Sequence, residues 1–244
     1  MTSLHTLQPL PPSSASPSAL PADAVRKARL ERLAESAHYA LLRRLAPAIR
    51  HDMAGALQPI SMVAAMLEKR LQKPNPDLLA LTKNVNSVNA LAREASLSCM
   101  ELINWLSPKS DESTPVHTGI ANTIALVTTD LSFKGFTLVN QTEAMNVAVT
   151  VRANVLRGLF MAALLTLTDR HKGPAHVLIG AEACGDNLVL RITLEPAECD
   201  ELPDPPRGYR SLDWDDVQAL ADAESAVLVR TPTRVELRCL SEPG

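Results

Sequence analysis

Aromatic residues are scarce in this chain: they make up 3% of its 244 residues. A core without large rings has to be built from leucine, valine, alanine, isoleucine and methionine, a palette typical of helix-rich packing. An excess of positive charge is missing as well. The net charge of -3 leaves no basic field for a nucleic acid or an anionic membrane surface, and neither is expected as a partner. The four cysteines, Cys99, Cys184, Cys199 and Cys239, form no C-x-x-C pair, and the first residues show no basic stretch followed by an apolar core. Nor do about 18 apolar residues run together anywhere, the length a membrane helix needs. These absences predict a cytoplasmic chain with reduced thiols.

What is present is enough apolar sequence, 46% of residues, to fill one or two cores. Residues 1–22 are dense in proline and serine, a composition that buries too little to order itself, and they read as a disordered lead. Asp23 then caps a helical pattern in which Leu30, Leu33, Ala37, Leu41 and Leu45 recur at helical spacing. Pro47 predicts a bend or a fresh start. Beyond it Ile49, Met53, Ala56, Ile60, Val63, Leu67 and Leu71 continue one apolar stripe.

"KPNP", residues 73–76, interrupts the pattern. From Asp77 a second stripe, Leu81, Val85, Val88, Ala92, Ala95, Cys99, Leu102 and Leu106, steps alternately by four and three, the heptad grammar of a helix-packing seam. Residues 23–108 are therefore expected to form a helical hairpin. Each helix of such a hairpin leaves apolar surface facing away from its mate, and pairing two hairpins into a four-helix bundle covers it. A homodimer through residues 40–106 is the prediction.

Residues 107–116 read as a linker, and the grammar then changes. Residues 117–244 give a helix, the strand patterns "GFTLVN" and "NVAVTV", a buried helix "RANVLRGLFMAALLTLTDR", and a hairpin of "AHVLIGAEA" and "NLVLRITLE" about "CGD". A Pro-rich loop, a helix from Asp213 to Ala223 and two last strands follow. This is the pattern of an α/β sandwich, a largely antiparallel sheet with helices on one face.

The first helix carries the stretch that points to chemistry, "IRHDMAGALQPI". At about 100° per residue, His51 lies roughly 160° from Ile49 and Met53 on the apolar stripe, so it faces outward, with Gly55, Gln58, Met62 and Ala65 beneath it in one ridge. Pro59 lacks an N–H and presses on the carbonyl of residue 55, where glycine lets the backbone yield and leaves room beside the imidazole. Asp52 can accept a hydrogen bond from one ring nitrogen, which makes the other the better nucleophile. An exposed histidine is usually only solvated. The set His51, Asp52, Gly55 and Pro59 on a dimer-forming hairpin is what argues for more.

"RHDMAGALQPI" resembles the H-box of two-component sensor histidine kinases, in which a phospho-accepting histidine is followed by an acid and then by proline and an aliphatic residue. The hairpin resembles their dimerisation and histidine-phosphotransfer domain. Residues 117–240 resemble their catalytic ATP-binding domain in element order. The resemblance implies that His51 accepts a phosphoryl group, that Asp52 orients or activates it, and that Arg50, Gly55, Gln58 and Met62 meet a response-regulator receiver domain.

The second half departs from that family. Ala162 and Thr166 stand where the family has the asparagines that hold magnesium and phosphates. The strand "LRITLE" runs into "PAECDELPDPP" in place of an aspartate followed by glycines, and no glycine falls between Gly185 and Gly208. No cofactor of its own is expected: ATP is not, and magnesium is expected on the receiver. The fold class expected is α plus α/β, a hairpin forming a dimeric bundle followed by a kinase-like sandwich with eroded nucleotide motifs.

The functional expectation is a histidine phosphotransferase that exchanges a phosphoryl group between His51 and receiver aspartates. Two alternatives stay open: a divergent histidine kinase that autophosphorylates His51, and a non-catalytic dimeric adaptor for response regulators. Gly55 replaces the residue on which the family's phosphatase activity leans, so strong dephosphorylation of a partner is not expected. His171, His176 and Cys184 span a loop and a strand and read as surface residues, not a metal site. The acids of "DWDDVQ" suit the start of a helix.

Overall fold

One helix, α1, runs from Ala22 to Leu71 without a break. The structure is a computed structural model that describes residues 22–106, 112–142, 149–197 and 210–242. Asp23 therefore lies in the first turn of α1 and not at its cap, where its carboxylate complements the helix dipole. The fresh start predicted at Pro47 does not occur, and the helix also continues through Pro59. An internal proline costs a helix about 3 kcal/mol. Burying Leu41 and Leu45, which are 1% and 0% exposed just upstream of Pro47, offsets this at about 2 kcal/mol each.

The turn after Leu71 contains Pro74 and Pro76, and α2 spans Leu78–Leu106. Asp77 caps it: its carboxylate accepts from the backbone N–H of Leu79 at 3.0 Å and of Ala80 at 3.2 Å. The two helices pack as an antiparallel hairpin. Leu81 and Ala95 of the α2 stripe are buried, whereas Val85 on the same stripe is 44% exposed.

The second half opens with a feature the sequence reading misses. Strand β1, Ser113–Pro115, pairs antiparallel with β3, Thr150–Arg152, in a small separate sheet. Three residues ending in proline are too few for any periodicity to register. Helix α3, Val116–Phe133, ends where Gly135 takes φ +81°, a left-handed conformation glycine adopts without strain, and leads into β2, Phe136–Asn140. Of the strand predicted over "NVAVTV", residues 146–148 lie outside the described residues. A π-helical turn, Val155–Phe160, then runs directly into α4, Met161–Arg170.

The main sheet holds β2, β4 (Ala175–Cys184), β5 (Asn187–Pro196), β7 (Arg234–Leu240) and β6 (Val227–Arg230), in that order. The β2–β4 pair is parallel and every other neighbouring pair antiparallel. The β4–β5 turn needs a left-handed residue, which Gly185 supplies at φ +62°. Helix α5, Trp214–Ala223, starts with a capping box in which Asp213 and Asp216 each accept from the other's backbone N–H.

One face of the sheet is covered. Val177, Ile179, Leu188, Leu190, Ile192, Val235 and Leu237 are fully buried beneath α3, α4 and α5, with alternate positions such as His176, Arg191 and Arg238 outside. A third layer lies above those helices. Ala37, Ala40, Leu41 and Leu45 of α1 belong to the same buried cluster as Ile120, Leu159, Leu164 and Leu220. One continuous helix thus lies on the sandwich over its first half and forms the hairpin with its second half. No helix among the described residues is long and apolar enough to cross a membrane.

Candidate functional site

The burial of α1 changes at Ile49. Leu45 is buried and Ile49 packs at the edge of the cluster, but from Arg50 to Gly55 every side chain is exposed. His51 has 71% of its side chain exposed and Asp52 47%. Nδ1 of His51 lies 3.4 Å from Oδ1 of Asp52, beyond the usual hydrogen-bond range, so in this geometry the carboxylate orients the ring only weakly.

Gln58 and Met62 continue the exposed ridge about two and three turns beyond His51, Met62 at 62% exposure. A side-chain carbon placed on Gly55 would meet nothing within 4 Å. Arg50, next to His51, is exposed as well.

Seven residues before His51, about 10 Å along the helix axis, lies a buried ionic cluster that the sequence reading misses. The Arg44 guanidinium donates to Asp169 at 2.8 and 3.1 Å and to Asp130 at 2.7 Å. Lys134 donates to Asp169 at 2.9 Å. Burial pulls the Arg44 pKa down, but the bonds to Asp169 and Asp130 outweigh that and raise it. The signal for this cluster was present: Arg44 sits among buried leucines on the core-facing side of α1, and a charge there is almost never left unpaired.

Ala162 and Thr166, at the positions of the family's asparagines, are both 0% exposed within α4. The alanine offers no polar side-chain atom, and the Thr166 hydroxyl is buried without a hydrogen-bond partner. Asp169, on the last turn of the same helix, is held by Arg44 from α1. Of the segment expected in place of the family's glycine loop, residues 196–206, residues 198–206 lie outside the described residues.

The remaining sequence candidates are placed as follows. His176 is exposed on the outer face of β4, Cys184 is exposed at the strand's end, and His171 follows α4. Among the described residues no group of three or more His, Cys, Asp or Glu side chains could hold a metal ion. The acids at the start of α5 serve as its cap and as the partners of Arg210.

Neither protein-family models nor curated proteins give a match to this chain. Solved structures do. The chain is similar to the Acinetobacter baumannii histidine kinase AdeS, at 13% identity and a TM-score of 0.43 over 78% of this chain and 97% of that one. A structure described as a bacterial phosphotransferase matches at 15% identity and TM-score 0.37, over 83% of this chain and 95% of that one. The Erythrobacter litoralis EL346 blue-light activated histidine kinase matches at 15% identity and TM-score 0.40, over 74% and 63%. Likenesses this distant do not decide an activity, which has to come from the residues themselves.

Proposed function

We propose that the chain is a two-component signalling protein that carries a phosphoryl group on His51 and exchanges it with the aspartates of response-regulator receiver domains. The observation that carries this reading is the exposed ridge His51, Gly55, Gln58 and Met62 on a helix whose preceding turns are firmly docked. A nucleophile that must meet another protein's active site needs exposure, and a rigid base limits how far it wanders.

With Asp52 beside Nδ1, Nε2 presents its lone pair. The N–P bond forms as the P–O bond to the receiver aspartate breaks, and the released carboxylate leaves on the receiver. Magnesium on the receiver neutralises the transferring oxygens, so this chain contributes position and a nucleophile. Arg50 and Met62 flank the approach and serve as contacts with the partner.

ATP is not expected as the phosphoryl source. Ala162 and Thr166 expose no atom to a magnesium nucleotide, and the Asp169 carboxylate beside them is engaged by Arg44. The last turn of α4 is thus held by a helix of the chain itself. Dimerisation completes the reading, through the hairpin beyond Ile49 and not from residue 40 as the stripe alone suggests, because Ala40, Leu41 and Leu45 are already buried against the sandwich. It is supported by the apolar side chains the hairpin leaves uncovered, among them Leu57, Val85, Leu97, Met100 and Ile103, which are 44–72% exposed.

The test is to offer wild type and His51→Ala either labelled ATP with magnesium or receiver domains charged with labelled phosphate. Acid-labile label on wild type from the receiver supports the relay. Label from ATP would make the chain a kinase.

A further inference from the structure

The first half of α1 carries a second regular row, on the side turned away from the sandwich. Val25, Arg29, Arg32, Ser36, Tyr39 and Arg43 step alternately by four and three, and the same alternation runs on through Ala46 to Arg50. Every one of these side chains is exposed, Val25 at 53% and Tyr39 at 61%. The row is about 38 Å long. Four of its members are arginine and none is an acid. Among the described residues none of the four pairs with a carboxylate, and Arg43 lies over the Tyr39 ring at 5.9 Å. Glu31 and Glu35 lie to one side of the row and not on it.

Spacing and charge together select the occupant. Steps of four and three are those a second helix needs to lie along the first with its side chains in register. That helix is not another α1. With two rows in register, Arg32 would face its own copy in a parallel pair and Arg43 in an antiparallel one, and like charges so placed repel. A lipid surface does not suit the row either, since the apolar side of this stretch, Ala37, Leu41 and Leu45, is already buried on the sandwich. The net charge of -3 opposes a nucleic acid. What complements four unpaired arginines is carboxylate, whose two oxygens match the guanidinium fork. The docked side of α1 holds the row in place, so a partner has little left to order when it binds.

We propose that the outward row of α1 is the docking surface for an acidic helix of another protein, its carboxylates held by Arg29, Arg32, Arg43 and Arg50 and its apolar side chains against Val25 and Tyr39. The surface is independent of the chemistry of His51 and stands whether or not that residue is phosphorylated. Only Arg50 is shared with the approach to the imidazole.

The test uses the full chain and a dye-labelled peptide of about four heptads, with glutamate at both seam positions and alanine and glutamine elsewhere. A second peptide has the same composition with the glutamates scrambled. Fluorescence anisotropy at low ionic strength reports binding. Two variants accompany the wild type: Arg32→Glu with Arg43→Glu, and Lys69→Glu with Lys83→Glu, which makes the same change of charge at exposed positions away from the row. The expected result is saturable binding of the seam peptide to wild type and to the lysine variant, fading as salt is added. Binding should be weaker by about tenfold or more for the arginine variant and for the scrambled peptide. No binding to wild type, equal binding of the two peptides, or equal weakening in both variants would each overturn the proposal. So would tighter binding of a duplex oligonucleotide or of phosphatidylglycerol vesicles, which would make the row a nucleic-acid or a membrane surface. Should the arginine variant fail to fold, the contrast between the two peptides on wild type still decides it.

Discussion

The Arg44 guanidinium reaches both carboxylate oxygens of Asp169, a residue 125 positions away, at 2.8 and 3.1 Å. The pair ties the long helix to α4 at the level of the residues that face its core. It sets the register in which His51, two turns farther on, leaves the sandwich and becomes exposed.

Removing one partner of a buried pair strands the other. Arg44→Met should lower stability by about 3 kcal/mol, the low end of the usual range because Lys134 still reaches Asp169 at 2.9 Å. Arg43 is exposed and stacks only over Tyr39, so Arg43→Met should change stability by about 0.5 kcal/mol or less. Urea unfolding of the two variants distinguishes them.

Gly55 separates stability from function. Alanine at an exposed helix interior should stabilise by about 0.5–1 kcal/mol, and nothing lies within 4 Å to oppose it. If the space beside His51 serves a receiver, Gly55→Ala should melt higher yet accept phosphate more slowly. A variant that gains stability without slowing would remove Gly55 from the site.

Much of this was legible beforehand. The hairpin, the buried helix before β4, the Gly185 turn and the Asp213 cap all announce themselves through local spacing or turn chemistry, which the chain obeys. What was not legible is the overlap of the two halves. The stripe of Leu41 and Leu45 gives the same periodicity whether it faces a bundle partner or a sandwich, so spacing could not say which surface covers it. The cluster of Arg44, Asp130, Lys134 and Asp169 depends on that docking and stayed hidden with it. Pro47 misled because propensity is local, whereas the burial that overrides it is not.

Acid should act through Asp216. Burial pushes its carboxyl up, but the Arg210 fork at 2.7 and 2.8 Å and the Asp213 N–H outweigh this and hold it below its ordinary value. A depressed pKa contributes stability above the unfolded-state value that is lost as pH falls through the folded one. Asp216→Asn should therefore be less stable at pH 7 by about 1 kcal/mol, discounted because Arg210 is half exposed. The two unfolding curves should converge as pH drops below the ordinary carboxylate range. Glu224 works in the opposite sense: burial raises it, so its contribution fades as pH rises.

Thiol reactivity should split by position. Cys239 is 3% exposed, burial pushes its thiol up to about 11, and its Sγ faces the Leu188 carbonyl at 3.8 Å. Cys184 is exposed at the end of β4. Iodoacetamide at pH 8 should label Cys184 in the native protein and reach Cys239 only on unfolding, as read by peptide mass spectrometry.

The most direct test of the account is phosphorus NMR of the full chain after mixing with receiver domains charged by acetyl phosphate and freed of the excess. The account expects a phosphohistidine resonance that disappears on acidification, is absent from His51→Ala, and does not form with magnesium ATP in place of the receivers. A resonance that forms with ATP alone, or one that persists in His51→Ala, would contradict it.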